Sequence, residues 1–425
     1  RAVPTAAQLA AREHETPADV VVRVGAGLRG RVLAVQGPPG AGKTFAGAAL
    51  IRALLDAGLS VGVTGLSHSV IGNLLDEVSR PALHRGAPVA EPAADHSTPA
   101  TLRTTVPARL VRPVARNEEI VEALRSGAAN LVGGTAWLWS REDLAEAVDV
   151  LIVDEAGQFS LANAVAVSQA ARSLVLLGDP QQLQQPTNAV HPHGAGVSAL
   201  EHLIGEHDVI PADRGVFLDH TYRMHPTLTR FVSELAYESR LRSAEPSDTQ
   251  DLSRVVVRAP GRLSGTGQRW VPVRHRLPVE QTSQEEADVV RGLVEDLLAG
   301  EWTDATGTAR GLAPDDILVV APYNAHVAAL TRALPAGVRV GTVDRFQGQQ
   351  AAVVVYCLGS TSADAAPRGV GFLYDVHRLN VAVSRAQALV AVVGSPLLLD
   401  AEVHTPEDLR AVNALCRYVE EAMTV

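Results

Sequence analysis

Eight consecutive residues have the composition and the surroundings of a phosphate-binding loop. The segment 37–44 fits the spacing G-x-x-x-x-G-K-[ST] and stands between an apolar run at 32–35 and a helical pattern at 45–55. Glycines let main-chain N–H groups turn toward a β-phosphate, and the N-terminus of the following helix adds partial positive charge. The lysine of such a loop bridges the β- and γ-phosphates, and its threonine hydroxyl ligates Mg²⁺. We therefore predict that ATP and Mg²⁺ are bound by Gly37, Pro38, Pro39, Gly40, Ala41, Gly42, Lys43, Thr44 and Phe45.

Lys43 is the only lysine in the chain, and all of the other residues in the combined count of lysine and arginine are arginine. The phosphates of a bound nucleotide require a compact ammonium group at this position, and a planar guanidinium does not replace it. The retention of a single lysine at this position supports the interpretation of the loop.

Two acidic residues follow a second apolar run. The segment 149–153 is typical of a buried strand, and it delivers Asp154 and Glu155 at its carboxyl end. Chemistry at a phosphate-binding loop needs one carboxylate for the Mg²⁺ shell and one to orient and deprotonate the attacking water. Asp154 fits the first role and Glu155 the second. A strand at 174–178 ends in a similar way, and Gln182 beyond it is predicted to hydrogen-bond the γ-phosphate.

The elements that must position these residues alternate between strands and helices. In the first half, strand patterns at 59–64, 149–153 and 174–178 alternate with helical patterns at 45–55, 161–171 and 197–203. The second half repeats the alternation without a phosphate-binding loop, with strands at 316–320, 338–342 and 352–356 and helices at 284–299 and 323–334. This alternation indicates parallel sheets covered on both faces. We predict an α/β fold with two parallel-sheet domains in tandem, at 31–215 and 216–425, after a helical segment at 1–30 with a helix from Thr5 to about His14.

Residues 78–127 interrupt the alternation with many prolines and arginines, and we interpret them as an insertion in the first domain. The arginines either line a strand of nucleic acid or belong to a solvated loop. Ser67, before this insertion, can cap a helix at the end of the 59–64 strand. A hydroxyl-rich helix start can hold a phosphodiester, and an ordinary capped helix is the alternative.

The composition is that of an ordinary soluble protein, with 425 residues, of which 46% are hydrophobic and 20% charged. No run of eighteen apolar residues and no signal-like N-terminal segment occurs, so we expect a cytoplasmic chain that does not bind membranes. The net charge of −10 argues against a surface that coats nucleic acid non-specifically, but it allows a local basic groove. Because the first residue is arginine and not methionine, we expect this chain to be a piece of a longer protein. Separately, we expect the chain to be a monomer.

With these segments in order, the chain resembles the superfamily 1 helicases, specifically the group typified by the regulator of nonsense transcripts. The similarity covers nearly the whole chain and depends on eight ordered motifs, which together are more specific than any one of them. They are Gly37–Thr44, Thr64–Leu75, Gly133–Trp137, Asp154–Gln158 with the form DEAxQ, Gly178–Leu183 with the form GDxxQL, Tyr222–Pro226, Thr342–Gly348 and Arg378–Ala386.

The resemblance implies a motor of two RecA-like domains that hydrolyses ATP in the cleft between them and moves 5′-to-3′ on single-stranded DNA or RNA. It implies that Arg223 and Arg385 act as arginine fingers on the γ-phosphate, that Tyr222 stacks on adenine and that Gly348 lies at the nucleotide. A nuclease domain upstream is a further expectation, as in some bacterial relatives. Phosphates of the strand are expected at strand ends and helix starts, on Thr64, Ser67, His68, Gly134, Thr135, Pro322, Tyr323, Thr342 and Arg345.

Two residues depart from the pattern of this group. His326 stands where the group usually has glutamine in its PYxxQ motif, and Gln350 stands where it has glutamate. Because a neutral Gln350 cannot act as a salt-bridge acceptor, we expect altered coupling between ATP and strand movement.

Three other classes of function compete with the motor. They are a P-loop phosphotransferase, a non-hydrolytic interaction module built on a decayed motor, and a nucleic-acid-stimulated ATPase that does not unwind. A phosphotransferase would lack a second α/β domain bearing Arg385, and a decayed motor should have lost Glu155 or an arginine finger. The choice between DNA and RNA stays open, because the grip on single strands is largely independent of the bases.

Overall fold

The computed structural model describes residues 1–80, 101–103, 111–114, 116–183, 196–252, 263–346 and 348–425. Contacts divide the chain into two units, Arg1–Asp219 and His220–Val425. Each unit is built on a sheet of mostly or wholly parallel strands with helices between them, so the predicted α/β class with two parallel-sheet domains is confirmed. Among the described residues, none of the helices is both long and apolar enough to span a bilayer.

The first unit contains one eight-stranded sheet. Its strands are β1 Val32–Gln36, β2 Val61–Thr64, β3 Thr101–Arg103, β4 Val111–Pro113, β5 Leu131–Gly133, β6 Val148–Val153, β7 Ala171–Gly178 and β8 Gly215–Phe217. The helices are α1 Ala6–Leu9, α2 Pro17–Ala26, α3 Lys43–Asp56, α4 His68–Ser79, α5 Asn117–Arg125, α6 Ala136–Trp139, α7 Leu161–Val167 and α8 Ala199–Ile204. The strand order is β4-β3-β5-β2-β6-β7-β1-β8.

The central strands of this sheet are apolar because both of their faces are covered. β1, β2, β6 and β7 run parallel and are rich in Val, Leu and Ile, and nearly all of their residues are buried. Parallel strands place their carboxyl ends at one edge, so the residues that follow β1, β6 and β7 are neighbours there. This edge carries the predicted phosphate chemistry.

The predicted insertion contributes two strands to the sheet. β3 pairs antiparallel with β5 and with β4, and it is therefore not part of the regular parallel repeat. The prolines and arginines between 81 and 100 and between 104 and 110 lie outside the described residues.

The N-terminal helix is shorter than predicted. α1 ends at Leu9, whereas the sequence suggested a helix to about His14, and a new helix starts after the capping residue Thr16. Arg23 explains why α1 ends early. Its guanidinium donates a hydrogen bond to the main-chain carbonyl of Ala10 at 2.9 Å and another to the carboxylate of Glu15 at 2.6 Å. The chain turns here, and α2 then packs against α3 of the same unit.

The second unit contains a six-stranded parallel sheet and two small two-stranded sheets. Its strands are β9 His220–Thr221, β10 Arg242–Ser243, β11 Gly267–Pro272, β12 Glu301–Thr303, β13 Ala309–Gly311, β14 Ile317–Val320, β15 Arg339–Gly341, β16 Ala351–Cys357, β17 Ala386–Gly394 and β18 Met423–Thr424. The helices are α9 Pro226–Ala236, α10 Gln284–Leu298, α11 Asn324–Ala333, α12 Val370–Leu373, α13 Val376–Ser384 and α14 Pro406–Glu421. The order of the large sheet is β15-β14-β16-β17-β11-β18.

Candidate functional site

The phosphate-binding loop joins β1 to α3 as the sequence predicted. Gly42 takes a left-handed conformation, with φ 80° and ψ 28°, immediately before the helix starts at Lys43. A Cβ atom on Gly37 would lie 2.3 Å from Cγ of Lys43, so the lysine stem needs a glycine beneath it. The ammonium of Lys43 donates to the carbonyl of Gly37 at 2.6 Å, and the N–H of Gly37 donates to Gly178 at 2.9 Å. The loop is thus held against the end of β7 at the start of a 14-residue helix, which favours an anion.

The two predicted carboxylates follow β6 at the same edge of the sheet. Asp154 is only 7% exposed, and its carboxylate accepts a hydrogen bond from the N–H of Glu155 at 2.9 Å. Burial first, and then the negative charge of Glu155, raise the pKa of Asp154 to about 7, while the charge of Lys43 acts to lower it. Glu155 adopts a φ of 54°, which is uncommon for a residue with a side chain. The backbone therefore turns directly after β6, at the residue predicted to act on the attacking water.

The tips of β6 and β7 approach closely because both carry glycine. A Cβ atom on Gly157 would lie 2.4 Å from the carbonyl oxygen of Asp179, and one on Gly178 would lie 2.4 Å from the nitrogen of Gly157. Gln182 is 6% exposed and donates from its side-chain amide to the Asp179 carboxylate at 2.9 Å. Gln182 therefore lies in the turn after β7, the strand that neighbours β6, and the Asp179 carboxylate fixes its amide.

The residues predicted to hold Mg²⁺ fit that ion. Thr44 supplies a hydroxyl in the first turn of α3, and Asp154 supplies a buried carboxylate whose charge is under-compensated. Mg²⁺ prefers hard oxygen donors of this kind and usually keeps several waters. Phe45, which was predicted to contact the nucleotide, is 58% exposed beside the loop.

The second unit brings two of its predicted arginines together. Arg223 donates from Nε to the side-chain oxygen of Gln350 at 2.9 Å and from Nη1 to the carbonyl of Ser384 at 3.0 Å. Arg385, the next residue, is buried and donates to the carbonyl of Gln349 at 3.4 Å. Burial and then the positive charge of Arg385 lower the pKa of Arg223. The positive charges of the two arginines thus act on each other, and neighbouring guanidiniums favour an anion.

Gln350, which departs from the family pattern, is a hydrogen-bond partner of Arg223. The sequence reasoning held that it cannot accept a salt bridge, and the structure shows that it accepts a hydrogen bond from Arg223. Its amide oxygen thus orients the guanidinium without neutralising it. Tyr222, next to Arg223, is 66% exposed, and Gly348 has a φ of 78° in the turn before Gln349.

His326, the other departure, belongs to a buried polar cluster with Glu286 and His275. The Glu286 carboxylate is fully buried and lies 3.1 Å from Nε2 of His275 and 3.1 Å from Nε2 of His326. It also accepts the N–H of Gly359 at 2.9 Å. Burial acts to raise the pKa of Glu286, but the two imidazole hydrogen bonds outweigh it and lower that pKa. The cluster ties the start of α10 to α11 and to the loop after β16.

The residues predicted to contact nucleic acid differ in their accessibility. Ser67 is exposed and caps α4 by accepting the N–H of Val70 at 3.3 Å, and His68 is half-buried beside it. Gly134 is buried, and Thr135 is half-buried at the start of α6.

Three of the residues predicted to contact nucleic acid are buried. Thr64 is 0% exposed at the end of β2. In the second unit Pro322 is buried and Tyr323 is 5% exposed, with its ring 5.5 Å from that of Phe372. The strand ends were recognised correctly, but these side chains point into the unit. Thr342 is half-buried and Arg345 is exposed.

Comparison with known proteins agrees with this geometry. The chain matches two family models, both AAA domains, over residues 20–208 and 195–397. It is 25% identical over 417 residues to the DNA polymerase alpha-associated DNA helicase A of Schizosaccharomyces pombe, covering 85% of this chain and 60% of the relative. It is 24% identical over 419 residues to the regulator of nonsense transcripts 1 homolog of Drosophila melanogaster, covering 86% of this chain and 33% of that protein. The chain belongs to the superfamily 1 helicases.

This superfamily 1 chain is also 28% identical over 422 residues to the DNA-binding protein SMUBP-2 of Mesocricetus auratus, with 85% of the chain and 41% of that protein covered. It therefore spans between about a third and three fifths of the length of these relatives.

Proposed function

We propose that the chain hydrolyses ATP and uses the energy to move 5′-to-3′ along a single strand of DNA or RNA and to unwind duplexes. One observation carries this proposal. The loop after β1, which carries the only lysine, and the turn after β6, which carries Asp154 and Glu155, lie at the same edge of one parallel sheet. A lysine, a buried carboxylate and a second carboxylate at one strand edge are the groups that hydrolysis of a nucleoside triphosphate needs.

In the first unit each residue has a defined task. Lys43 and the N–H groups of the loop bind the phosphates, and Thr44 and Asp154 hold Mg²⁺, which supplies charge neutralisation at the phosphate oxygens. Glu155 accepts the proton of the attacking water. Gln182 contacts the γ-phosphate once its amide leaves Asp179.

In the second unit Arg223 and Arg385 stabilise the negative charge that develops on the transferred phosphoryl group. The effect of the Arg385 charge on Arg223 supports this assignment, because an anion bound beside both arginines would be attracted by two positive charges. Gln350 and Ser384 keep Arg223 oriented while leaving its charge available.

The strand binds in the first unit at the carboxyl ends of β2 and β5. The exposed Ser67, the half-buried His68 and Thr135 and the N–H groups of these turns donate to phosphates. Binding through phosphates makes the affinity fall steeply as salt is raised.

Glu155→Gln tests the hydrolytic assignment. The variant should bind ATP and Mg²⁺ like the wild type and turn over at least about 100-fold more slowly, the scale of a lost general base. Glu142→Gln, which changes an exposed glutamate in the same unit, serves as the control. Unchanged turnover of the Glu155 variant would remove Glu155 from the mechanism.

Duplexes with either a 5′ or a 3′ single-stranded tail test movement and its direction. We expect ATP-dependent unwinding from the 5′ tail only. Unwinding from the 3′ tail alone overturns the direction, and ATP hydrolysis that a single strand stimulates without any unwinding leaves a nucleic-acid-stimulated ATPase in place of a helicase.

A further inference from the structure

Two tryptophans, two residues apart on α6, lie in opposite surroundings. Trp139 is 0% exposed, whereas Trp137 is 86% exposed. Residues two apart on a helix are separated by about 200°, so one ring faces the unit and the other faces away from it. The other two tryptophans of the chain, Trp270 and Trp302, are 4% and 6% exposed. Trp137 is therefore the one indole that the fold leaves in solvent.

Trp139 fixes the helix from which Trp137 projects. A Cβ atom on Gly62 would lie 2.7 Å from Cη2 of Trp139, so the indole lies directly on the backbone of β2. Its Nε1 donates to the carbonyl of Val63 at 3.1 Å, and the N–H of Gly134 donates to the same carbonyl at 2.9 Å. The short helix is thus anchored to the end of β2. Trp137 is held at a defined place, with little freedom left in the backbone beneath it.

The neighbours of Trp137 carry polar groups. Thr135 begins the helix without using its side chain as a cap, and the parallel neighbour β2 leads into exposed Ser67 and half-buried His68. Among the described residues of the β2 and β5 turns, Leu66 is the only other exposed large apolar side chain, at 39%, and α7, which packs against α6, adds Val165, at 65%. Two aliphatic side chains beside one indole make a small apolar surface for a protein partner. One aromatic ring among hydrogen-bond donors suits a nucleotide, which has a base to stack and a phosphate to contact.

We propose that Trp137 is a stacking platform for one base of the bound single strand, beside the phosphate contacts of the β2 and β5 turns. This inference is based on the proposed function and adds to it a contact made by an aromatic ring. Stacking needs a base that is free of its duplex partner, and it tolerates any base because every base has a π-face. The contact therefore favours single strands over duplexes without selecting a sequence.

Fluorescence of the whole chain tests this directly, because three of the four tryptophans are buried. Short single-stranded oligothymidine is titrated into the chain at low salt, and the emission of Trp137 should be quenched as binding saturates. Trp137→Ala should bind about tenfold to a hundredfold more weakly and lose the quenching. Trp137→Phe should recover most of the affinity, and Leu277→Ala, which truncates a side chain that is 74% exposed in the second unit, should bind like the wild type.

An abasic sugar-phosphate oligomer separates stacking from phosphate contact. It should bind wild type and Trp137→Ala equally well. Wild-type binding of oligothymidine without quenching, or equal affinity of the alanine variant, overturns the stacking platform and leaves the proposed function intact. A wild type that binds no single strand at all overturns the proposed function, and the platform with it.

Discussion

Asp154 in the first unit and Glu286 in the second are both buried carboxylates, at 7% and 0% exposure. Their surroundings shift their pKa values in opposite directions. Among the described residues Asp154 accepts one hydrogen bond, from the N–H of Glu155, and its pKa is raised to about 7 by burial and by the neighbouring charge. Glu286 accepts three, from His275, His326 and Gly359, and its pKa is lowered.

We propose that this difference separates a functional carboxylate from a structural one. A buried anion with all its hydrogen bonds made is stable where it is and has nothing further to bind. A buried anion with one hydrogen bond and a like charge beside it is relieved by a cation, and Mg²⁺ at Thr44 and Asp154 is the cation that we propose. We expect Asp154 to matter for activity and Glu286 to matter for stability.

The largest expected effect is on hydrolysis by Asp154→Asn. Loss of the carboxylate removes a metal ligand whose contribution is several kcal/mol, so turnover should fall on the order of 10³-fold. The melting temperature should stay the same or rise, because the variant no longer buries a repelled charge. Steady-state ATPase assays and thermal unfolding measure the two results, with Asp76→Asn on the exposed side of α4 as the control. A stable variant with wild-type turnover would refute the functional half of the comparison.

Glu286→Gln should show the reverse pattern. A neutral amide presents a donor to groups that themselves donate, so the cluster loses hydrogen bonds in a buried place and the free energy of unfolding should fall by about 3 kcal/mol. Urea unfolding followed by circular dichroism measures this loss, and Glu295→Gln on the exposed face of α10 is the matched control. If the glutamine variant is as stable as the control, the cluster does not stabilise the second unit.

The two carboxylates should also give opposite pH dependence. Because the pKa of Asp154 is raised from 3.8 to about 7, the native state keeps a proton that the unfolded chain has lost, and stability falls as pH rises between these values. The unfolding free energy of wild type relative to Asp154→Asn should decline by at most about 1.4 kcal/mol per pH unit over that window and level off above it. Glu286, whose pKa is lowered, contributes stability that is lost only as pH falls below 4.5. Urea titrations of the wild type and both variants across this range check both signs, and a flat difference for Asp154→Asn would contradict the raised pKa.

The smallest effect is expected for Gln350→Glu. A carboxylate in place of the amide forms an ion pair with Arg223 and competes with phosphate for it. Because the arginine is only half-buried, the pair is screened, and we expect the KM for ATP to rise about two- to fivefold with little change in kcat. Gln281→Glu, at an exposed position of the same unit, is the control. A drop in kcat as large as that of Asp154→Asn would mean that Gln350 itself takes part in the reaction.

The sequence predicted well which residues lie at the carboxyl edge of the first unit's sheet, for physical reasons. Glycine spacing, the single lysine and apolar strands that end in acidic residues are all local patterns. They depend on residues that are close together in the sequence, so they can be recognised without knowledge of the tertiary fold. The order of these segments was enough to place Lys43, Asp154 and Glu155 at one edge of one sheet, because parallel strands align their carboxyl ends.

Features that depend on distant residues could not be predicted. Glu286 looks like an exposed residue of an amphipathic helix, and its partners His275 and His326 lie 11 and 40 residues away. β17 was not among the predicted strands, although its residues are mostly apolar and it pairs with both β16 and β11. For Thr64 and Tyr323 the strand ends were placed correctly, but a pattern of one strand does not say which way its last side chain points.

The steady-state rate of ATP hydrolysis by the purified chain, with and without single-stranded DNA or RNA, tests the proposed motor most directly. We predict a low basal rate that rises when either strand is added at low salt and returns toward the basal value as salt is raised, because phosphate contacts dominate the binding. A rate that neither strand changes at any salt concentration would contradict the proposal that this chain couples ATP hydrolysis to nucleic acid.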